Sequence, residues 1–470
     1  MRHLRMAALA LALHAGIFAH GQSARTAQPA PMPKGTPATF QCSPAPCVLP
    51  PTQASEGGAM VTDTPIVANP VRFEQLLLGS VDFNCTGDSS VGAHLSTDGG
   101  SAWSLVSCMP IVQLGKRGYI AIGEPSVGYD SKGNAYASGV YYGGGSYGLV
   151  AVQSSTNGSN WNAPVVALTP KGDASFFETH LAVDASPGSP HVGAVYASGV
   201  YGGGGRYNQV IVSHSTDGGT TWTQVPVDSV QKYPEEDDFT RLAVGGDGTV
   251  YATWQNCTGT KTNGNCPTVR MLFSKSADGG NTWSPPIQTA EVGMPLNWEL
   301  PNTNPNTAVS NYPPIAVDKS SGTYAGSLYV VMYNYTDNHL KVIMVRSTDG
   351  GTTWSKPLPL APESDTHDQF FPAISVNKAG LVGVSWLDRR NDPNNVNYQA
   401  FAAISYDGGQ TFGPNWQLTT AFSNPDVNGD YNWMGDYTGN TWVDDKFIAA
   451  WMDSSNGTNM QQVVGGVQLK

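Results

Sequence analysis

Short apolar runs, each closed by the same polar turn, recur along this chain. Val210-Ile211-Val212 leads into one copy of the turn, and Val342-Ile343-Met344-Val345 leads into another. Runs of this length, bounded by glycine-rich polar segments and followed by a second short strand, predict β-hairpins. The turn is an eight-residue motif: Ser96 to Trp103 (STDGGSAW), Ser215 to Trp222 (STDGGTTW), Ser276 to Trp283 (SADGGNTW), Ser347 to Trp354 (STDGGTTW) and Ser405 to Phe412 (SYDGGQTF). A degenerate copy, Ser154 to Trp161 (SSTNGSNW), puts Thr156 at the Asp position. The starts lie 58, 61, 61, 71 and 58 residues apart, and recurrence at such a period marks stacked supersecondary units.

Each residue of the motif has a local task. The Asp carboxylate can accept amides a few residues ahead, the glycines supply positive φ, and the aromatic ring covers the turn. These aspartates therefore read as structural. Between turns a second pattern repeats, as in Glu124-Pro125-Ser126-Val127-Gly128-Tyr129-Asp130, Thr179-His180-Leu181-Ala182-Val183-Asp184, Thr240-Arg241-Leu242-Ala243-Val244, Pro314-Ile315-Ala316-Val317-Asp318 and Pro372-Ala373-Ile374-Ser375-Val376. Each is an inner strand that precedes a turn and a second strand.

Over residues 60 to 470 the chain resembles the sialidase superfamily, whose Asp boxes, or bacterial neuraminidase repeats, have this form. The resemblance implies an all-β fold, a β-propeller. Inner strands begin near Pro65, Pro125, Thr179, Thr240, Pro314, Pro372 and Tyr437, which makes seven blades, with six as the alternative because well-known sialidases have six. The last unit ends after a second strand, Phe447 to Trp451, and a third, Gln462 to Gln468. Its fourth strand must come from before Pro65, so the expectation is a last blade closed by an N-terminal strand. Radial repetition leaves only short protected edges.

Residues 1–21 carry Arg2 and Arg5, an apolar run from Met6 to Ala19 and small residues at Ala19 and Gly21, which read as a secretory signal peptide too short to span a membrane. Residues 22–60, rich in Pro, Ala and Thr, read as a linker that also holds the closing strand, and 61–470 as the propeller. Loss of two arginines with the leader leaves 22 basic against 36 acidic residues, a net charge of about −14. Such a balance disfavours nucleic acid and anionic membranes as partners. An exported chain with six cysteines points to disulfides. Nearest-neighbour pairing gives Cys42 with Cys47, Cys85 with Cys108 and Cys257 with Cys266, although sequence leaves fifteen connectivities open. No metal-ligand spacing and no cofactor motif is present, and a calcium ion in the channel stays an open question.

Strand order places the Asp boxes on one face. Loops that enter inner strands and leave second strands lie on the other, where binding groups converge. Entries supply Asp63, Glu124, Glu178, His180, Asp237, Asp238, Arg241, Tyr312, His367, Asp368, Asp436 and Tyr437; exits supply Arg206, Tyr335, Asp388, Arg389, Arg390 and Asp453. Carboxylates, His and Arg at one channel mouth suit glycosidic chemistry, where an acid protonates the leaving oxygen while a second group attacks.

The resemblance implies a Tyr nucleophile activated by Glu and an arginine clamp. Asp436-Tyr437-Thr438-Gly439, followed by Phe447-Ile448-Ala449-Ala450-Trp451, is similar to the family's last blade and makes Tyr437 the match to the nucleophile. The first-blade arginine is replaced by Thr64-Pro65-Ile66-Val67, which turns the expectation from sialic acid toward a uronic acid or another anionic sugar. The candidate catalytic residues are Tyr437, Asp368, Asp388 and Glu178, and the candidate substrate-binding residues are Arg241, Arg389, Arg390, His367, Arg206 and Asp436. Tyr437, Asp368, Asp388 and Arg389 are expected to meet at one mouth. The reading is a secreted, sialidase-like glycoside hydrolase acting on carbohydrate, with a non-catalytic glycan- or protein-binding propeller as the alternative. The near-duplicate glycine runs 143–145 and 202–205 read as hairpin tips rather than phosphate loops.

Overall fold

The computed structural model describes residues 40–85, 89–143, 147–172, 174–203, 207–257, 266–303, 307–427 and 433–470. Seven antiparallel sheets form the blades of a propeller, so the count of seven holds and the six-bladed alternative falls. Blade one runs inner to outer through Val61–Thr62 with Ile66–Ala68, Leu76–Asp82, Val91–Ser96 and Ser104–Cys108; blade two through Arg117–Tyr129, Ala135–Gly143, Tyr147–Ser155 and Val165–Leu168. Blade three has Ser175–Val183, Val195–Gly203, Tyr207–Ser215 and Thr223–Pro226, and blade four Glu236–Val244, Val250–Cys257, Thr268–Ser276 and Ile287–Gly293. Blade five has Ile315–Val317, Leu328–Thr336, His339–Ser347 and Leu358–Pro359, and blade six Gln369–Val376, Val382–Asp388, Gln399–Ser405 and Trp416–Gln417.

Blade seven takes Gly439–Val443, Lys446–Asp453 and Gln461–Gln468 from one end of the chain and its outermost strand, Cys47–Gln53, from the other. Cys47 faces Gln468, and Leu49 faces Gly466. Leu49 is fully buried among Phe40, Ala54, Ile66, Leu76, Ile448 and Val464. The stretch read as linker is thus packed from Phe40 onward. Residues 1–39, with the leader and the rest of the linker, lie outside the described residues, as do the tips 144–146 and 204–206. Among the described residues no helix is long and apolar enough to cross a membrane.

Strands sandwiched between blades are buried on both faces, which explains their near-continuous apolar character: every residue of Leu76–Asp82 and of Gln399–Ser405 is buried. Between blades five and six, for example, Tyr329, Val331 and Met344 pack against Val384, Trp386 and Phe401. Inner strands lack a ladder partner on the axial side, and neighbouring blades supply it. Leu181 N donates to Ser126 Oγ (3.0 Å) and Leu242 N to His180 Nδ1 (3.2 Å), while Thr240 Oγ1 donates to Glu178 O (2.8 Å) and Thr438 Oγ1 to Phe371 O (2.7 Å). Gly439 is required at this seam, since a Cβ there would lie 2.3 Å from Thr64 O.

The eight-residue turns join third to fourth strands on the face opposite the inner-strand entries. In blade three, Ser215 Oγ donates to Asp217 Oδ1 (2.8 Å), Gly219 N to Ser215 Oγ (2.9 Å), Thr221 N to Asp217 Oδ1 (2.9 Å) and Trp222 Nε1 to Gly219 O (3.0 Å). The degenerate copy differs from its sequence alignment. Ser155, not Ser154, takes the serine position, and Asn157, not Thr156, replaces the aspartate: Asn157 Oδ1 accepts the amides of Ser159 and Asn160 at 2.9 Å each. One residue has been lost from the turn, and the amide oxygen of Asn accepts as a carboxylate oxygen would. The three disulfides are Cys42–Cys47, Cys85–Cys108 and Cys257–Cys266, the pairing read from proximity in sequence. They fit an oxidising compartment.

Candidate active site

Four inner strands break register with the second strand of their blade. Register breaks fall between Gly123 and Ser126, Phe177 and His180, Asp238 and Arg241, and Phe370 and Ala373. A bulge of this kind re-aims a side chain, and the sequence at the break is an acid or aromatic followed by Thr or Pro. The seven pairs are Asp63-Thr64, Glu124-Pro125, Glu178-Thr179, Phe239-Thr240, Tyr312-Pro313, Phe371-Pro372 and Tyr437-Thr438. Five of the leading residues have positive φ: Asp63 (51°), Glu124 (54°), Glu178 (55°), Phe239 (60°) and Phe371 (50°). Non-glycine residues adopt this conformation at an energetic cost that surrounding structure must hold in place, and such strain gathers at functional sites. Blades one to three thus contribute carboxylates to the ring, and blades four to seven contribute aromatics.

Tyr312 Oη donates to Glu178 Oε2, linking blade five to blade three across the axis. The guanidinium of Arg241 lies 3.8 Å over the Tyr312 ring and 4.5 Å over the Tyr437 ring. Those two rings meet edge to face with centroids 5.2 Å apart. Arg241 Nη1 donates to Thr240 O (3.0 Å). Asp63 Oδ1 accepts the Asp436 amide (2.7 Å), and Ser310 Oγ donates to Asp436 Oδ1 (3.1 Å). Glu124 Oε2 accepts the Thr179 amide (2.6 Å). Asp63, Glu178, Arg241, Tyr312, Asp436 and Tyr437 are all at most 7% exposed. Glu124 and His180 keep partial exposure although protein surrounds them, as groups lining a narrow channel do.

Four carboxyls with one guanidinium among them cannot all ionise. Burial, then the proximity of Glu178, pushes Glu124 up to about 8 and Asp436 up to about 7. Burial and Asp436 hold Asp63 well above the usual carboxylate range. Burial, then Glu178, raises the Tyr312 phenol, while burial, then Asp63, raises that of Tyr437. Burial and Arg241 lower His180, and its Nδ1 already accepts the Leu242 amide, so it serves as a neutral strut between blades. Near neutral pH the Glu124 carboxyl, raised to about 8, is protonated and able to donate, and Glu178 Oε2 accepts the phenolic hydrogen of Tyr312.

The axial centre includes Glu178, Arg241, Asp436 and Tyr437 from the sequence-derived candidates. It does not include Asp368, Asp388, Arg389, Arg390 or His367. Asp368 accepts Leu340 N (2.9 Å), Asn395 Nδ2 (2.8 Å) and Arg389 Nη1 (3.2 Å), in an ion pair with both side chains fully buried. Asp388 accepts Trp386 Nε1 (2.7 Å) and Arg390 Nη2 (2.5 Å), and His367 pairs with Asp365 (2.8 Å). Among the described residues no hydrogen bond, ion pair or ring contact joins this network to Tyr437 or Arg241. The reason is one of register: Gln369 faces Asp388 in the ladder, so these residues sit beyond the break that turns side chains toward the axis. They tie the entry of the inner strand of blade six to the exit of its second strand. Arg206 lies outside the described residues.

The two phenols of the centre differ in their partners. Tyr437 Oη donates to Pro125 O (2.6 Å), a carbonyl that cannot take its proton, whereas Tyr312 is the phenol bonded to a carboxylate. Asp63, Glu124 and Tyr312 are channel-entry residues by sequence, and the repeated acid-or-aromatic followed by Thr or Pro is the signal that marks them as one set. Among the described residues no group of three or more His, Cys, Asp or Glu side chains is arranged to hold a metal ion.

The molecule is a seven-bladed propeller with a buried acid–tyrosine–arginine centre on its axis. No known protein-family profile matches the chain, and no curated protein matches it in sequence. Among solved structures it is similar to an ulvan lyase of polysaccharide lyase family PL25, with 10% identity over 85% of this chain and 94% of that one and a TM-score of 0.52. It is also similar to the Hadza microbial sialidase Hz136 (14% identity, 82% and 74% covered, TM-score 0.46) and to an α-L-arabinofuranosidase from Fusarium graminearum (13%, 76% and 98%, 0.47). The likeness is one of fold.

Proposed function

We propose that this chain is an exported, glycan-active propeller and a glycoside hydrolase, with Tyr312 as nucleophile, Glu178 as its base and Glu124 as the acid. The observation that carries the reading is the Tyr312–Glu178 hydrogen bond beneath the Arg241 guanidinium. A phenol raised above its ordinary pKa is a poor nucleophile alone, so a carboxylate already in hydrogen-bond contact is the group it needs. In the first half-reaction Tyr312 Oη attacks the anomeric carbon and passes its proton to Glu178, while Glu124, protonated near neutral pH, gives its proton to the departing glycosidic oxygen. In the second, water attacks the same carbon and gives a proton to Glu124. Tyr312 leaves and recovers its proton from Glu178. Arg241 stabilises the phenolate through the ring face and offers its remaining N–H groups to an anionic substituent on the sugar. The fold shared with a polysaccharide lyase and the three disulfides support a glycan substrate outside the cytoplasm.

The test is a screen of the purified protein against aryl glycosides and polysaccharides, with Tyr312→Phe and Glu178→Gln as controls. Turnover that both substitutions abolish in folded protein is the expected result. Turnover surviving Tyr312→Phe refutes the nucleophile. Products carrying an unsaturated uronic acid replace hydrolysis with elimination, and glycan binding without turnover leaves a binding module.

A further inference from the structure

We propose that the Cys257–Cys266 disulfide is a positioning device for the axial centre: it holds the Tyr312 ring on Glu178 through Trp298 and Phe239, so the centre is completed only in the oxidised chain. For what Tyr312 does there, this inference rests on the hydrolase reading; the coupling itself does not.

The contacts run without a gap. Cys257 ends the second strand of blade four, opposite Glu236 in the ladder, and the disulfide ties Cys266 to it. The carbonyls of Cys266 and of the next residue, Pro267, receive the start of the connection to blade five. Trp298 Nε1 donates to Cys266 O (3.0 Å), and Met294 N donates to Pro267 O (2.8 Å). The Trp298 and Phe239 rings then meet with centroids 6.1 Å apart, and those of Phe239 and Tyr312 at 4.6 Å. Both cysteines, Trp298, Phe239 and Tyr312 are at most 7% exposed and share one core cluster. Phe239 and Trp298 also have positive φ, 60° and 54°, which bulky residues keep only where their surroundings impose it. Neither Cys42–Cys47 nor Cys85–Cys108 belongs to that cluster.

The backbone at Tyr312 has a different anchor. Asn311 Nδ2 donates to Tyr333 O (2.8 Å) and Tyr333 N donates to Asn311 Oδ1 (3.1 Å), which fixes this stretch to the second strand of blade five. Loss of the disulfide therefore leaves the chain at Tyr312 in place and loosens the ring, which Phe239 bounds on one side and Tyr437 on another. Forming the bond takes two electrons and two protons from the two thiols, and a small disulfide oxidant accepts them as it becomes two thiols itself. In a reducing compartment the thiols persist, and the Tyr312 ring lacks its prop.

The experiment labels the intact protein with 3-fluorotyrosine and assigns the Tyr312 fluorine resonance as the one missing from Tyr312→Phe. The double variant Cys257→Ala/Cys266→Ala should shift or broaden that resonance. Trp298→Phe, which keeps the disulfide and an aromatic ring but deletes the N–H held by Cys266 O, should move it the same way. Cys85→Ala/Cys108→Ala, which removes a disulfide from blade one, should leave it in place. On a glycoside that the wild type turns over, the first two variants should lose on the order of ten- to a hundredfold in kcat with little change in KM, as misplacement of a reacting group does. The blade-one variant should keep its kcat. Absence of turnover by the wild type sinks the hydrolase reading alone, because the fluorine spectra still decide the coupling. A Tyr312 resonance unmoved in either folded variant overturns the proposal, as does an equal shift in the blade-one variant; Trp298→Phe decides alone if the double variant fails to fold.

Discussion

Leu49→Ala is the sharpest probe of how the ring is held shut. Leu49 comes from the N-terminal strand of blade seven, is fully buried and packs on Phe40, Leu76, Ile448 and Val464. The substitution removes three carbon groups, at about 0.8 kcal/mol each for burial alone. The residual cavity raises the loss to about 3 kcal/mol, since the neighbouring strands come from both chain ends and cannot simply collapse inward. With an unfolding entropy of about 2.1 cal/mol/K per residue over about 430 residues, that corresponds to a fall in Tm of about 3 °C. Val48, only partly buried on the same strand, provides the control, and Val48→Ala should shift Tm by about 1 °C. A chain that begins at Ala54 loses the whole strand and exposes the edge of Gln461–Gln468, so it should melt far lower and aggregate. Differential scanning calorimetry measures all three. Wild-type melting in Leu49→Ala, or in the shortened chain, refutes closure by the N-terminal strand.

Gly351→Ala, at φ 87° and with a Cβ that would lie 2.4 Å from the Phe273 ring, should destabilise by about 2–3 kcal/mol in denaturant titration and leave kinetic constants of the folded protein unchanged. Arg389→Met leaves the Asp368 carboxylate buried without its cation and should lower stability by about 3–5 kcal/mol, while activity per folded molecule persists; complete inactivation of a folded variant would return this network to the catalytic machinery. Glu124 and Asp436 are raised to about 8 and about 7, so the stability of their neutral forms is fully present at low pH and is lost as pH rises through those values. Tm should decline between about pH 5 and about pH 9, activity should fall above about pH 8, and Glu124→Gln should flatten the upper part of the stability profile.

The blade count and the closing strand were readable because each depends on a local pattern: Pro314-Ile315-Ala316 and Phe447-Ile448-Ala449 look like strands, and a unit that runs out of chain after Gln468 needs a partner from elsewhere. The facing of side chains was readable only in part. Asp368 and Glu178 occupy similar places in the linear pattern, both near the start of an inner strand, yet Glu178 stands at the ladder break while Asp368 lies three residues before Phe371. That offset turns one toward the axis and locks the other to Arg389. Tyr437 and Tyr312 are equivalent positions in different blades, and nothing in either segment says which phenol meets a carboxylate. The answer depends on the distance across the axis, which no single blade encodes. The blade-two turn misled for a smaller reason, since a one-residue deletion can be aligned two ways until its hydrogen bonds are seen.

Closure of blade seven by Cys47–Gln53 has a consequence for the order of events in the life of the chain. This strand is synthesised well before its partner, Gln461–Gln468. Six blades can each assemble from neighbouring sequence as they are made, but the ring stays open until Gln461–Gln468 has been made. The early strand must wait with its apolar side uncovered, and the shortest-lived vulnerability of this protein is therefore the interval before its two ends meet. The same geometry brings those ends side by side, so a permuted chain with them joined and a new opening between two other blades would contain every strand of blade seven in one continuous stretch.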